Sequence, residues 1–112
     1  MNEIVSTEGL HACLDTSRQT PIFLFKHSTR CPVSTAAHDR VSRYVAEAPE
    51  NAPGVHMIRV VESRPVSDEA ALLLSVRRES PQVILVKEGK AVWSASHYEI
   101  TPEAMAEAAK QL

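Results

Sequence analysis

The stretch Ile22-Phe23-Leu24-Phe25 constrains the fold most, because it is apolar without alternation and only as long as a strand. A strand with one wet face alternates polar and apolar side chains, so an unbroken run fits a strand covered on both faces. Such a strand sits at the centre of a sheet with helices on either side. The flanking sequence supplies them. Leu10, Cys13 and Leu14 follow helical spacing behind the cap candidates Ser6 and Thr7, which predicts a short first helix ending before Thr20-Pro21. From Pro32 onward Val33, Ala37, Val41, Tyr44, Val45 and Ala48 step by three or four, with Asp39, Arg40, Arg43 and Glu47 elsewhere on the wheel. This is an amphipathic helix ending near Pro49.

Glu50 to Gly54 carries turn chemistry, and His56 to Val61 is β-branched enough to form a second strand. Ser63, Pro65 and Ser67 supply start signals for a helix running through Ala70, Leu72, Leu73, Leu74 and Val76 to about Arg78, where Pro81 prevents its continuation. Gln82 to Val86 and Ala91 to Ser94 read as strands joined by the hairpin Lys87-Glu88-Gly89-Lys90. Thr101-Pro102-Glu103 begins a terminal helix with Met105, Ala108, Ala109 and Leu112 on one face. The order α-βαβαββα predicts an α/β fold with a mixed four-stranded sheet covered by helices. No internal repeat or linker interrupts it, so residues 1 to 112 are expected to form one domain.

Composition narrows the function classes. The chain has 12 basic and 14 acidic residues, a net charge of −2 and no basic run, which argues against a nucleic-acid surface. Its apolar runs fall far short of the roughly 20 residues of a membrane span, and the start MNEIVSTEGLHACLD has no leader pattern. Two cysteines do not make a disulfide framework. A reduced, cytoplasmic protein without membrane or nucleic-acid partners is the expectation.

The chemistry concentrates in Phe25-Lys26-His27-Ser28-Thr29-Arg30-Cys31-Pro32-Val33-Ser34. Cys31 stands where a buried strand gives way to a helix, so unpaired N–H groups and the positive end of the helix dipole face its sulfur and favour the thiolate. Pro32 in the first turn costs no intrahelical hydrogen bond, and it leaves the amides of Val33 and Ser34 as donors to an anion. Lys26, His27 and Arg30 are expected to add positive charge. A nucleophilic Cys31 is the reading this setting favours over a small buried cysteine. Ser34 is either a donor to the thiolate or an ordinary first-turn residue.

Elsewhere the bland readings hold. Cys13 shares the apolar face of the first helix and is expected to be buried and structural, joining a bridge to Cys31 only if that helix approaches the site. His27 and His38 flank Cys31 in sequence, but no compact cluster supplies the ligands of a metal site. His56 and His97 read as strand-edge residues, and Trp93 and Tyr98 as packing residues. Pro81 precedes a strand, where a cis bond would bring backbone beside the helix start, although X-Pro bonds are mostly trans.

The element order, the Cys-Pro-Val-Ser box at the first strand-helix junction and Glu79-Ser80-Pro81-Gln82 before the hairpin resemble the thioredoxin superfamily. More closely, FKHSTRCPVS, VVESRPVS at Val60 to Ser67 and RRESPQVILVKEGKAVW at Arg77 to Trp93 resemble the bacilliredoxins with a single active cysteine. The box departs from T-C-P-x-S in having Arg30 before the cysteine. The resemblance implies a thioredoxin-like fold, Cys31 as the active cysteine and a cis-proline wall at Ser80 and Pro81 whose backbone pairs with substrate; Thr29 and Arg30, next to the cysteine, are further candidate substrate contacts. It also implies an activity: removal of bacillithiol from client proteins that carry it as a mixed disulfide, with bacillithiol as co-substrate and no tightly bound cofactor.

With Ser34 three positions after Cys31, no second thiol in the box can resolve the adduct, so another bacillithiol molecule or a partner redoxin must regenerate Cys31. Arg30, Arg64, Arg77 and Arg78 are candidate partners for the carboxylates of such a thiol, or simply solvated side chains. Two other functions stand beside this one. One is a monothiol glutaredoxin-like iron–sulfur carrier, whose box has Gly where Pro32 stands here. The other is a thioredoxin-like binding module without turnover.

Overall fold

The computed structural model describes residues 1 to 112. Its elements are β1 (Asn2–Glu3), α1 (Thr7–Thr16), β2 (Ile22–His27), α2 (Pro32–Glu47), β3 (Gly54–Arg59), α3 (Arg64–Leu74), β4 (Gln82–Lys87), β5 (Lys90–Ser96), a 3-10 turn at His97–Glu99 and α4 (Pro102–Lys110). The sheet runs in the order β1-β3-β2-β4-β5. Strands β1, β3 and β2 are parallel, while β4 is antiparallel to β2 and β5 to β4.

Strand β2 therefore lies in the middle, and every one of its residues is buried. Side chains alternate across a strand, so Ile22 and Leu24 join Leu10, Cys13, Ile58, Val66, Leu74 and Ile84 under α1 and α3. Phe23 and Phe25 enter the opposite layer with Val41, Tyr44, Val83, Leu85 and Met105 under α2 and α4. Tyr44 meets Phe23 edge to face at 5.5 Å, and Trp93 does so at 6.2 Å. Trp93 is thus a packing residue. Tyr98 is not: it is 77% exposed in the turn after β5.

The helix starts follow their signals. Ser6 Oγ accepts from Gly9 N–H and Thr101 Oγ1 from Ala104 N–H, both at 3.0 Å. In the hairpin Glu88 and Gly89 both have positive φ, 53° and 75°, which suits a tight two-residue turn joining twisted strands. That hairpin docks on the end of α1, because Glu88 N–H donates to the Ser17 carbonyl and Gly89 N–H to Ser17 Oγ.

Several boundaries differ from the sequence expectation. The sheet has five strands rather than four, since Asn2 and Glu3 pair with His56 and Met57, and Glu3 meets Arg59 Nε at 2.6 Å. This covers the outer side of β3, so His56 lies between two strands and not on an edge. His97 sits in the 3-10 turn with φ 55°. Strand β3 occupies Gly54–Arg59, two residues earlier than expected, because the chain turns at Val60 once its N–H reaches the His27 carbonyl. Helix α3 stops at Leu74, short of Arg78. Ser75 takes a left-handed conformation there, and Val76 N–H closes back on the Ala71 carbonyl.

Removing Phe23 empties the layer that α2 and α4 share. The Phe23→Ala variant is expected to lose about 3–5 kcal/mol of stability. Val92→Ala, on the exposed side of β5, is expected to stay within about 0.5 kcal/mol of the parent. Urea unfolding of the two variants measures both.

Candidate active site

The C-terminal ends of β2 and β3 and the start of β4 meet at one end of the sheet. Cys31 caps α2 there, in extended conformation with φ −113° and ψ 121°, and it is partly exposed. Its N–H donates to the Ser28 carbonyl at 3.3 Å, closing the turn that leaves β2, and its carbonyl accepts from Thr35 N–H at 3.0 Å, opening the helix. No side chain caps α2, and Pro32 brings no N–H, so the amides of Val33 and Ser34 lie at the helix start beside Cys31. A shallow concavity of about 470 Å³ runs past the cysteine, lined by Thr29, Arg30, Cys31, Pro32, Thr35 and Asp39.

Ser34 is fully buried and faces inward. Its Oγ accepts from Ser28 N–H at 2.9 Å and shares a 2.7 Å hydrogen bond with His27 Nδ1. This side chain ties the end of β2 to the first turn of α2, the two elements that fix Cys31. His27 is itself buried, stacked on Phe25 at 5.4 Å and with the His38 ring 4.9 Å away. Burial, and after it the neighbouring His38, pushes His27 below its ordinary 6.5, against a smaller opposing pull from Glu62.

Thr29 donates to Glu62 Oε2 at 2.8 Å, and that hydrogen bond holds the Glu62 carboxyl below its ordinary value. Arg59 and Arg30 act on it in the same direction. Sequence reasoning did not single out Glu62, although it lies in the VVESRPVS segment.

The Ser80-Pro81 bond is cis. Gln82 pairs with Lys26 across β2 and β4, which brings Pro81 to the level of His27, four residues before Cys31. Pro81 is buried and its carbonyl accepts from His97 N–H at 3.1 Å, while Ser80 is partly exposed. Thr29, Arg30, Cys31, Pro32, Val33, Ser34, Ser80 and Pro81 thus gather at one end of the sheet. Lys26, expected to add charge beside Cys31, goes elsewhere: it shares the face of Ile22 and Leu24 and is buried on the α3 side. Arg64 and Arg78 line a separate cleft next to Ser80, and Arg77 is exposed.

Cys13 lies inside the layer under α1 and α3, and burial pushes its thiol up to about 11. Both cysteines are free. No helix is long and apolar enough to cross a membrane.

Residues 2–105 match the family described as Monothiol bacilliredoxin BrxC. A solved structure with a thioredoxin fold is similar to 96% of this chain and 91% of its own length, at 26% identity and a TM-score of 0.85. The thioredoxin of Fasciola hepatica matches over 99% of this chain and 98% of its own, at 16% identity and a TM-score of 0.78. Thioredoxin NaTrxh from Nicotiana alata matches over 98% and 90%, at 17% identity and a TM-score of 0.77. The fold is the thioredoxin fold, and family and fold together give the chain a role in thiol redox chemistry.

Two measurements follow from the buried latch. Ser34→Ala leaves the Ser28 N–H and the His27 ring without their partner, and is expected to cost about 1–3 kcal/mol in urea unfolding. Burial lowers His27 in the fold, so as the pH drops from its ordinary 6.5 the unfolded chain binds its proton before the folded chain does. Stability is expected to fall as the pH drops through that value. A pH series of unfolding midpoints should show a shallower fall in His27→Phe, with a residual slope from His56, which burial also lowers.

Proposed function

The chain belongs to the monothiol bacilliredoxin family, and from that premise we propose that Cys31 removes bacillithiol from client proteins that carry it as a mixed disulfide. One observation carries the reading: a partly exposed cysteine heads a helix that no side chain caps, with a buried serine at the position where a second thiol would stand.

The steps follow from that arrangement. The Cys31 thiolate attacks the bacillithiol sulfur of the mixed disulfide, the bond to the client sulfur breaks, and the client leaves as a thiolate that takes a proton from water. Amides at the start of α2 face the negative charge on the Cys31 sulfur before attack and again when it leaves. Cys31 now holds bacillithiol in a disulfide. Ser34 offers no sulfur to displace it, so a thiolate from outside attacks the bacillithiol sulfur and returns Cys31 as thiolate. With bacillithiol as that second thiol the product is bacillithiol disulfide; with a partner redoxin it is a mixed disulfide on the partner.

Thr29 and Arg30 line the concavity at Cys31, and they are the proposed contacts to the incoming disulfide together with Ser80 and Pro81 at the same end of the sheet. Cys13 takes no part, because a thiol buried in the core and held protonated is a poor nucleophile.

The test is release of client thiol from a bacillithiolated protein by the parent chain, Cys31→Ser and Cys13→Ala. Parental rates in Cys13→Ala together with the uncatalysed rate in Cys31→Ser are the expected outcome. Release that persists in Cys31→Ser contradicts the reading.

A further inference from the structure

Lys26 is the one lysine of the chain that the fold encloses. Alternation along β2 turns it to the α3 side behind Leu24, where it is 1% exposed, and its Nζ has no hydrogen-bond partner. Gln82 faces it across β2 and β4, is 2% exposed, and its Oε1 also lacks a partner. Buried polar groups are almost always satisfied, so a buried amine without an acceptor calls for one.

A cleft of about 180 Å³ opens over this end of the strand. Arg64, Ser67, Asp68, Arg78, Glu79 and Ser80 line it beside Val60 and Val61. Burial first, and then the neighbouring Arg78, push the Lys26 amine below its ordinary value, while Asp68 pulls it back up. The charges here do not balance. Arg64, Arg78 and Lys26 stand against Asp68, which reaches Arg78 only at 3.7 Å, and Glu79, whose carboxylate also accepts from the Ser96 hydroxyl. Arg78 is 69% exposed, so its remaining N–H donors face solvent. Guanidinium forks beside serine hydroxyls are a donor set that suits carboxylate.

Position relates the cleft to the thiol chemistry. Ser80 forms one of its walls and directly precedes Pro81, which β4 brings to the level of His27. A molecule whose sulfur is at Cys31 and whose body crosses Ser80 ends in this cleft. The cleft has room for a small acid group and not for a folded peptide segment.

We propose that Arg64, Ser67, Arg78 and Ser80, backed by the buried Lys26, form a subsite for the carboxylate end of the low-molecular-weight thiol that Cys31 takes up. The assignment rests on the thiol-transfer reading for its purpose, but the site itself is a binding property that can be measured without turnover. A client protein also carries carboxylates, and the experiment separates the two sources by holding the client constant.

In the first arm, succinate is titrated into the Cys31→Ser protein and followed by backbone amide shifts. Saturable shifts at Ser67, Arg78 and Ser80 are expected, with binding about tenfold weaker in Arg78→Met and in Lys26→Met. Arg78 is exposed, so its variant keeps the test valid should Lys26→Met fail to fold. Absence of saturable shifts, or equal binding by parent and Arg78→Met, overturns the subsite.

In the second arm, one client is loaded with either mercaptosuccinate or 2-mercaptoethanol, and kcat/KM is measured for each. The parent is expected to prefer the mercaptosuccinate disulfide, and Arg78→Met to lower that preference about tenfold. A preference that Arg78→Met leaves intact assigns the carboxylate contact elsewhere and overturns the proposal. If the parent reduces neither disulfide, the thiol-transfer reading fails, and succinate binding alone then decides the subsite.

Discussion

Strand β2 is hydrogen-bonded along both edges, to β3 and β4, and covered on both faces by apolar layers. A strand held in that way has no freedom to slip, because a one-residue shift would exchange Ile22 and Leu24 with Phe23 and Phe25 between two differently shaped layers. Its C-terminal end is therefore a fixed point, and the turn from Ser28 to Cys31 leaves from it. The turn that carries Cys31 therefore leaves from a strand paired on both edges and buried on both faces.

Ser34 strengthens that placement. In a dithiol box this position holds a second sulfur and must stay available for chemistry. Here its oxygen is committed twice, to the Ser28 amide and the His27 ring, and it joins strand end to helix start. The same residue that leaves the box without a second sulfur thus ties the site together. Burial, and after it His38, lower His27, which lies at the end of β2 on the α2 side, below its ordinary value.

Much of this was legible in the residues because the deciding signals are local. An unbroken apolar tetrapeptide identified the central strand, and Cys31-Pro32 after it identified a helix start with a sulfur at its head. The parts that were not legible depend on distant contacts. Strand β1 is two residues long and exists only through its pairing with β3 and the ion pair of Glu3 with Arg59. Helix α3 ends at Ser75, a residue with no special preference for the left-handed conformation, so the sequence offers no stop before Pro81. Lys26 was assigned to the sulfur by proximity in the chain, whereas the pleat of β2 sends it to the other side of the sheet. Glu62 gave no signal of its own, since its place at the site comes from Thr29, 33 positions away.

The central claim is that Cys31 acts alone and carries the small thiol itself. The most direct measurement is to incubate the reduced protein with a bacillithiolated client, stop the reaction, and determine the intact mass and the modified peptide. The account predicts one bacillithiol on the peptide containing Cys31, with client thiol released in equal amount. A disulfide between Cys13 and Cys31, or client release with no adduct on Cys31, would contradict it.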